Sequence, residues 1–234
     1  MPRRCDLWRV GIVHAPIDRI ARHGLDDGSR VTWLDTGPSF TFDADPFGLW
    51  RDGILHLFVE QYDYRTRHGV IDLLRFDRDL AFIGRQTVLR EPWHLSYPNV
   101  FEADGAIWML PEANRSGTLT LYRADDFPTG WQAVARLPLD GAAVDATPFR
   151  HDGRWWLFYS ASTSKDMRLG SLHAAWADEL TGEWHVHPGN PVRLDRGGAR
   201  PGERRSCWMA RWSCRCRIAA APMAARCACC ICRC

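Results

Sequence analysis

The chain has 234 residues, 46% of them hydrophobic, enough to bury a sizeable core as one domain. Its formal charge of +2 conceals an asymmetry: residues 204–234 hold seven Arg and no acid, so the remainder carries 23 basic against 28 acidic residues, a net of −5. That sign argues against a nucleic-acid partner. No stretch approaches the ~20 apolar residues of a membrane helix, and MPRRCDLWRVGIV is too polar for a secretory signal, so no membrane span and a cytoplasmic location are expected.

In chain order, RVGIV at 9–13 reads as a first strand. A repeat then begins. Asp45-Pro46 stands seven residues before Asp52-Gly53, which stands seven before Glu60. The same spacing returns in Tyr97-Pro98, Asp104-Gly105 and Glu112, and in Asp145-Ala146, Asp152-Gly153 and Ser160. Each Asp-Gly is followed by an apolar or aromatic run: ILHLFVE, AIWMLPE, RWWLFYS. Gly69, Gly117 and Gly170 each precede an Asp by eight residues, and the Asp-Gly pairs are 52 and 48 residues apart.

Asp-Gly between apolar runs predicts a tight hairpin, because such turns need positive φ. The segment before each turn is the expected inner strand and the run after it the second. VIDLLRF, TLTLYRA and SLHAAWA follow as third strands; weaker fourth strands lie near RQTVLRE, WQAVARL and EWHVHP. Four strands repeated at this period predict an all-β, incomplete five-bladed β-propeller, with blades near 40–91, 92–140 and 141–195 in a domain spanning 1–203. A β-sandwich is the alternative, but it has no reason to repeat the same columns. In a propeller, Asp45, Tyr97 and Asp145 converge on the central funnel.

The end of the chain departs from this pattern. Eight of the nine cysteines (Cys207, Cys214, Cys216, Cys227, Cys229, Cys230, Cys232 and Cys234) lie there, and 22 of the 31 residues from Arg204 onward are Cys, Arg or Ala. Soft-metal spacing is one reading, though no His joins the cysteines and no paired CxxC appears. Out-of-frame translation explains more. The body uses Arg almost to the exclusion of Lys, a mark of GC-rich coding, and such DNA read out of frame yields Arg, Ala and Cys. Trp208-Met209-Ala210 is encoded TGG ATG GCN, and reading from the last base of the Trp codon gives Asp-Gly whatever the final base. Permitted codons then continue into an apolar run ending in Gln, a fourth hairpin. The expectation is an irregular tail with no metal site.

Several segments together carry a resemblance. WRVGIV at 8–13, FDADPF at 42–47, EPWHLSYPNVFE at 91–102, AVDATPF at 143–149, HPGNPV at 187–192 and GGARP at 197–201 resemble the N-terminal domain of glucosamine inositolphosphorylceramide transferases. That domain also occurs as a freestanding bacterial protein, and its fold is similar to the five-bladed propellers of arabinanase- and β-xylosidase-type glycoside hydrolases. The resemblance covers about residues 8–201 and implies a carbohydrate-type funnel. Transferase chemistry belongs to a separate domain that nothing here matches.

Glycoside cleavage takes one carboxylic acid to protonate the leaving oxygen and one carboxylate to activate water or attack the sugar. The resemblance implies Asp45 as the base and Asp145 as the residue that tunes the acid. Glu112 is the first choice for proton donor and Glu60 the second, both ending second strands. For each, a blade-capping role is the plain alternative. His94 and Tyr97 are expected beside the funnel as substrate contacts. Arg200, opening a fourth inner strand, suits an anionic group or an ion pair to Asp45 or Asp145. Asp43, Asp52, Asp104 and Asp152 read as structural, and no cofactor or metal is expected. Two readings stay open: a domain that binds a carbohydrate or glycolipid headgroup, in company with a glycosyltransferase, or a glycoside hydrolase. In either, the altered tail leaves this copy truncated and impaired.

Overall fold

The computed structural model describes residues 7–23, 28–35, 37–201, 217–219 and 226–233, the last two segments by their backbone. It is built of antiparallel sheets. Leu7–Val13 forms β1, followed by helix α1 (Ile17–His23) and β2 (Val31–Trp33). Thr41–Arg51 (β3), Ile54–Asp63 (β4), His68–Phe76 (β5) and Phe82–Leu89 (β6) pair in sequence order as one sheet. Ser96–Ala103 (β7), Ala106–Glu112 (β8), Leu119–Asp126 (β9) and Gly130–Leu137 (β10) make the next. A third contains Ala143–His151 (β11), Arg154–Ala161 (β12), Ser171–Ala177 (β13) and His185–Val186 (β14), with helix α2 (Lys165–Gly170) between β12 and β13. The expected fourth strand of this sheet is short; Arg193–Leu194 (β15) adds to it by pairing the start of β13.

The Asp-Gly pairs make the predicted turns. Asp52, Asp104 and Asp152 have φ of 51°, 50° and 48°, and the glycines after them 77°, 75° and 79°. Positive φ at both central residues is the turn whose twist matches that of a hairpin. An added Cβ on Gly105 meets nothing within 4 Å, so its role is purely conformational. Gly105→Ala is expected to cost about 1 kcal/mol in denaturant melts, and Gly105→Asn less, because Asn tolerates this conformation.

Alternation along the second strands stacks the sheets. Leu55, Leu57 and Val59 of β4 pack towards β1, while Phe58 packs with Ile107 and Met109 of β8. On β8, Trp108 and Leu110 turn the other way, onto Trp155, Leu157 and Tyr159 of β12. Each strand thus serves two cores with a period of two. The inner strands are also linked directly: Phe47 of β3 meets the Tyr97 ring edge-on at 4.9 Å, and Asn99 of β7 donates to the Ala146 carbonyl of β11 at 3.4 Å.

Of the tail, only two short stretches are described: Arg217–Ala219 (β16) and Arg226–Arg233 (β17) are strands, and β17 runs antiparallel to β1 with Leu7 opposite Arg233 and Val13 opposite Cys227. The order β16-β17-β1-β2 makes a further sheet beside β3. The physical reason is that a bare strand edge is paired by main-chain groups, which every sequence carries, so this pairing needs no hydrophobic pattern in the tail. Cys207, Cys214, Cys216 and Cys234 lie outside the described residues. Among the described residues, no helix is long and apolar enough to cross a membrane.

Candidate functional site

The three inner strands share one local distortion. Pairing of β3 with β4 slips between Ala44 and Phe47, of β7 with β8 between Ser96 and Asn99, and of β11 with β12 between Val144 and Thr147. At each slip the column residue takes a left-handed conformation: φ is 50° at Asp45, 46° at Tyr97 and 52° at Asp145. The bulge frees a strand position from ladder pairing, which is why Pro46 and Pro98 are tolerated there. Positive φ at a non-glycine residue costs on the order of 1–3 kcal/mol and is characteristic of sites where a side chain must be aimed. One distortion in three blades therefore aims Asp45, Tyr97 and Asp145 from one end of the sheets.

The charged part of the site gathers at that end. The Asp145 backbone N–H donates to Glu112 Oε2 at 3.1 Å, and Arg200 Nε donates to Asp145 Oδ2 at 2.5 Å. Burial first, then the negative charges of Asp145 and Asp45, raise the Glu112 pKa to about 8, against the Asp145 N–H bond and Arg200. The direction of this shift favours the protonated carboxyl of Glu112. Arg200 is opposed by burial, but Asp145, then Glu112 and Asp45, hold its pKa above the ordinary value. Asp45, Glu112, Asp145 and Arg200 form one electrostatic unit. Arg200 itself follows a turn in which Asp195 accepts from the Gly197 and Ala199 N–H groups, and the strand it is expected to open lies outside the described residues.

Glu60 and His94 stand on the blade-one side. His94 Nε2 lies 3.5 Å from Glu60 Oε1. Burial first, and then the positive Arg115, lower the His94 pKa to about 4, so at neutral pH this contact is between a neutral imidazole and a carboxylate rather than an ion pair. Gly69 makes room for it, since a Cβ there would come within 2.6 Å of the ring. Tyr97 is fully buried, and its hydroxyl and Thr147 Oγ1 are 2.9 Å apart, so its side chain joins β7 to β11. Asp43 takes both terminal nitrogens of Arg85 at 2.8 and 2.7 Å, and Arg85 Nε reaches Asp72 at 2.6 Å, a network inside the first blade.

With this geometry in view, the comparisons are informative. Residues 31–213 match the family model described as glucosamine inositolphosphorylceramide transferase 1, N-terminal. The chain belongs to that family. It is 32% identical over 217 residues to glucosamine inositolphosphorylceramide transferase 1 of Oryza sativa subsp. indica, covering 84% of this chain and 29% of the relative. To the Arabidopsis thaliana protein of the same name it is 34% identical over 178 residues, covering 74% and 23%. The chain spans less than a third of the length of these relatives. The family match runs to residue 213, past Pro201 where the motif resemblance ends.

Among solved structures, a family 117 glycoside hydrolase of Zobellia galactanivorans is similar with a TM-score of 0.55 at 15% identity, over 69% of this chain and 60% of that one. A thermostable family-43 glycoside hydrolase gives 0.54 at 13%, over 86% and 77%. These likenesses establish the fold: a β-propeller of the kind seen in glycoside hydrolases. With the family, they make this a carbohydrate-related propeller domain.

Sequence reasoning passed over Arg115, whose charge acts on His94, and Thr147, which meets Tyr97. It also passed over an aromatic group at the start of the first blade: Phe42 stacks on Tyr62 at 5.0 Å, and Tyr62 meets Tyr64 edge-on at 5.1 Å. Its signal was present in the alternating pairs Phe40, Phe42 and Tyr62, Tyr64.

Proposed function

We propose that the end of the sheets bounded by Asp45, Glu112, Asp145 and Arg200 binds a carbohydrate or a glycolipid headgroup. The observation that carries this is the repeated positive-φ bulge, which holds Asp45 and Asp145 within electrostatic reach of the buried Glu112. Charged and neutral carboxyl groups side by side offer both acceptors and a donor to sugar hydroxyls. Arg200 remains cationic and suits an anionic substituent once Asp145 yields part of it. Glu60 and His94 extend the polar wall, while Tyr97 supports it by holding β7 against β11. In the longer relatives such a domain would present the acceptor to a glycosyltransferase domain. The residues from Arg204 onward are read as out-of-frame translation, so a frame-restored form binds more tightly than this chain.

A second reading, glycoside hydrolysis, is favoured by the raised pKa of Glu112. A carboxylic acid with a raised pKa is what a leaving oxygen needs for protonation, and Asp45 supplies the second carboxyl group. Screening saccharides by calorimetry and by product release, in this chain and in the frame-restored form, tests both. Binding that falls at least about tenfold in Asp45→Asn and Asp145→Asn supports the site, since loss of one charged hydrogen bond costs about 1.5–3 kcal/mol. Turnover abolished by Glu112→Gln selects hydrolysis. Binding indifferent to all three substitutions refutes both readings.

A further inference from the structure

The rim of the first blade holds an aromatic side chain in a conformation that its own backbone disfavours. Phe40 has φ of 68° and is 68% exposed. It sits at the third position of the Pro38–Thr41 turn, closed by Thr41 N donating to the Pro38 carbonyl at 3.1 Å and Thr41 Oγ1 donating to it at 2.6 Å. Gly or Asn is the ordinary occupant of a positive-φ turn position, and a bulky residue there is an outlier. Neighbouring structure enforces it: the Tyr64 N–H donates to the Phe40 carbonyl at 2.9 Å. An exposed phenyl ring gains no core burial to offset this strain, so packing does not account for it.

Beside Phe40 stands the half-buried group of Phe42, Tyr62 and Tyr64. Phe42 lies opposite Tyr62 in the ladder with rings 22° apart, and the next pair along the same face is Ala44 opposite Glu60. The Tyr62 ring meets His94 at 5.7 Å, and His94 reaches Glu60 at 3.5 Å and senses the charge of Asp45. A continuous path therefore runs from the carboxylates of the proposed site, across Glu60 and His94, to an aromatic rim. Polar groups at one end and flat rings at the other suit a chain of sugars, whose hydroxyls bond the polar groups and whose C–H faces lie on aromatic rings.

We propose that Phe40, Phe42, Tyr62 and Tyr64 form a stacking subsite for a second sugar unit, so that the domain takes an oligosaccharide rather than a single sugar. This rests on the carbohydrate reading of the Asp45 site. The test is calorimetry on this chain and on the frame-restored form, with arabinose, xylose, galactose and glucosamine as single sugars and with their trisaccharides. Tyr62→Ala and Phe40→Gly are each expected to weaken a trisaccharide at least tenfold while changing single-sugar affinity less than twofold. Phe40→Gly relieves the turn, so its melting temperature is expected at or above that of the parent. Trisaccharide affinity unchanged in both variants, or an equal loss for single sugars, overturns the subsite while leaving the Asp45 site standing. A lower melting temperature in Phe40→Gly also overturns it, by making Phe40 a packing residue. If neither form binds any saccharide, the carbohydrate reading falls and the subsite with it.

Discussion

Arg200→Ala is expected to lower unfolding free energy by about 2 kcal/mol and to depress the melting temperature by about 4–8 °C. Asp145 has a side chain only 9% exposed, and Arg200 Nε reaches it at 2.5 Å. Removing one partner of a fully buried pair costs about 3–5 kcal/mol, because the other charge is left unpaired away from water. The Arg200 side chain is 41% exposed, which lets solvent screen the interaction and reduces the figure. The double variant Arg200→Ala, Asp145→Asn should recover part of the loss, since it no longer strands a charge. Thermal and denaturant melts of the two single variants and the double variant read the coupling directly. A double variant as unstable as the sum of the singles would show that the pair does not interact.

Glu112→Gln is expected to remove a contribution to stability that falls as pH rises. The folded-state pKa of about 8 lies above the ordinary value of 4.5, so across that window the folded state holds a proton that the unfolded state has released. Stability from this group is complete below about pH 4.5, declines as pH rises towards 8 and levels off above it. At about 1.4 kcal/mol for each pH unit of full difference, this group should cost the parent about 3 kcal/mol relative to Glu112→Gln between pH 5 and pH 8, while His94 and His56, whose pKa values burial lowers to about 4, add stability to both proteins as pH rises. Gln keeps an oxygen to accept the Asp145 N–H but cannot ionise. The stability of Glu112→Gln relative to the parent, read by denaturant melts at pH 5, 6.5 and 8, should therefore increase steadily as pH rises. A difference between parent and variant that stays constant over this range would contradict the raised pKa of Glu112.

Local rules carried the reading of the blades. Asp-Gly turns depend on backbone conformation at two adjacent residues, so Asp52-Gly53, Asp104-Gly105 and Asp152-Gly153 were legible, and the strands on either side followed from them. The columns containing Asp45, Tyr97 and Asp145 were visible as spacing, but the bulges beneath them were not, because a register slip is a property of two strands. Pro46 and Pro98 were the clue. Charge placement was only partly legible: an Arg200 to Asp145 pair was anticipated as one outcome, whereas Arg85 bridging Asp43 and Asp72 joins residues far apart in sequence. The pairing of β17 with β1 had no sequence signal, since main-chain pairing at an open edge leaves none. Phe40 was missed because a phenylalanine at a positive-φ turn position contradicts the propensities on which sequence reading relies.

The central claim is that Asp45, Glu112, Asp145 and Arg200 together hold a sugar. A crystal structure of this chain soaked with the tightest-binding saccharide of the panel tests it most directly. The expected result is a sugar ring with hydroxyls within hydrogen-bond distance of Asp45 and Glu112, beside the Arg200 to Asp145 pair. A saccharide bound elsewhere on the blades, with these four side chains untouched, would contradict the account.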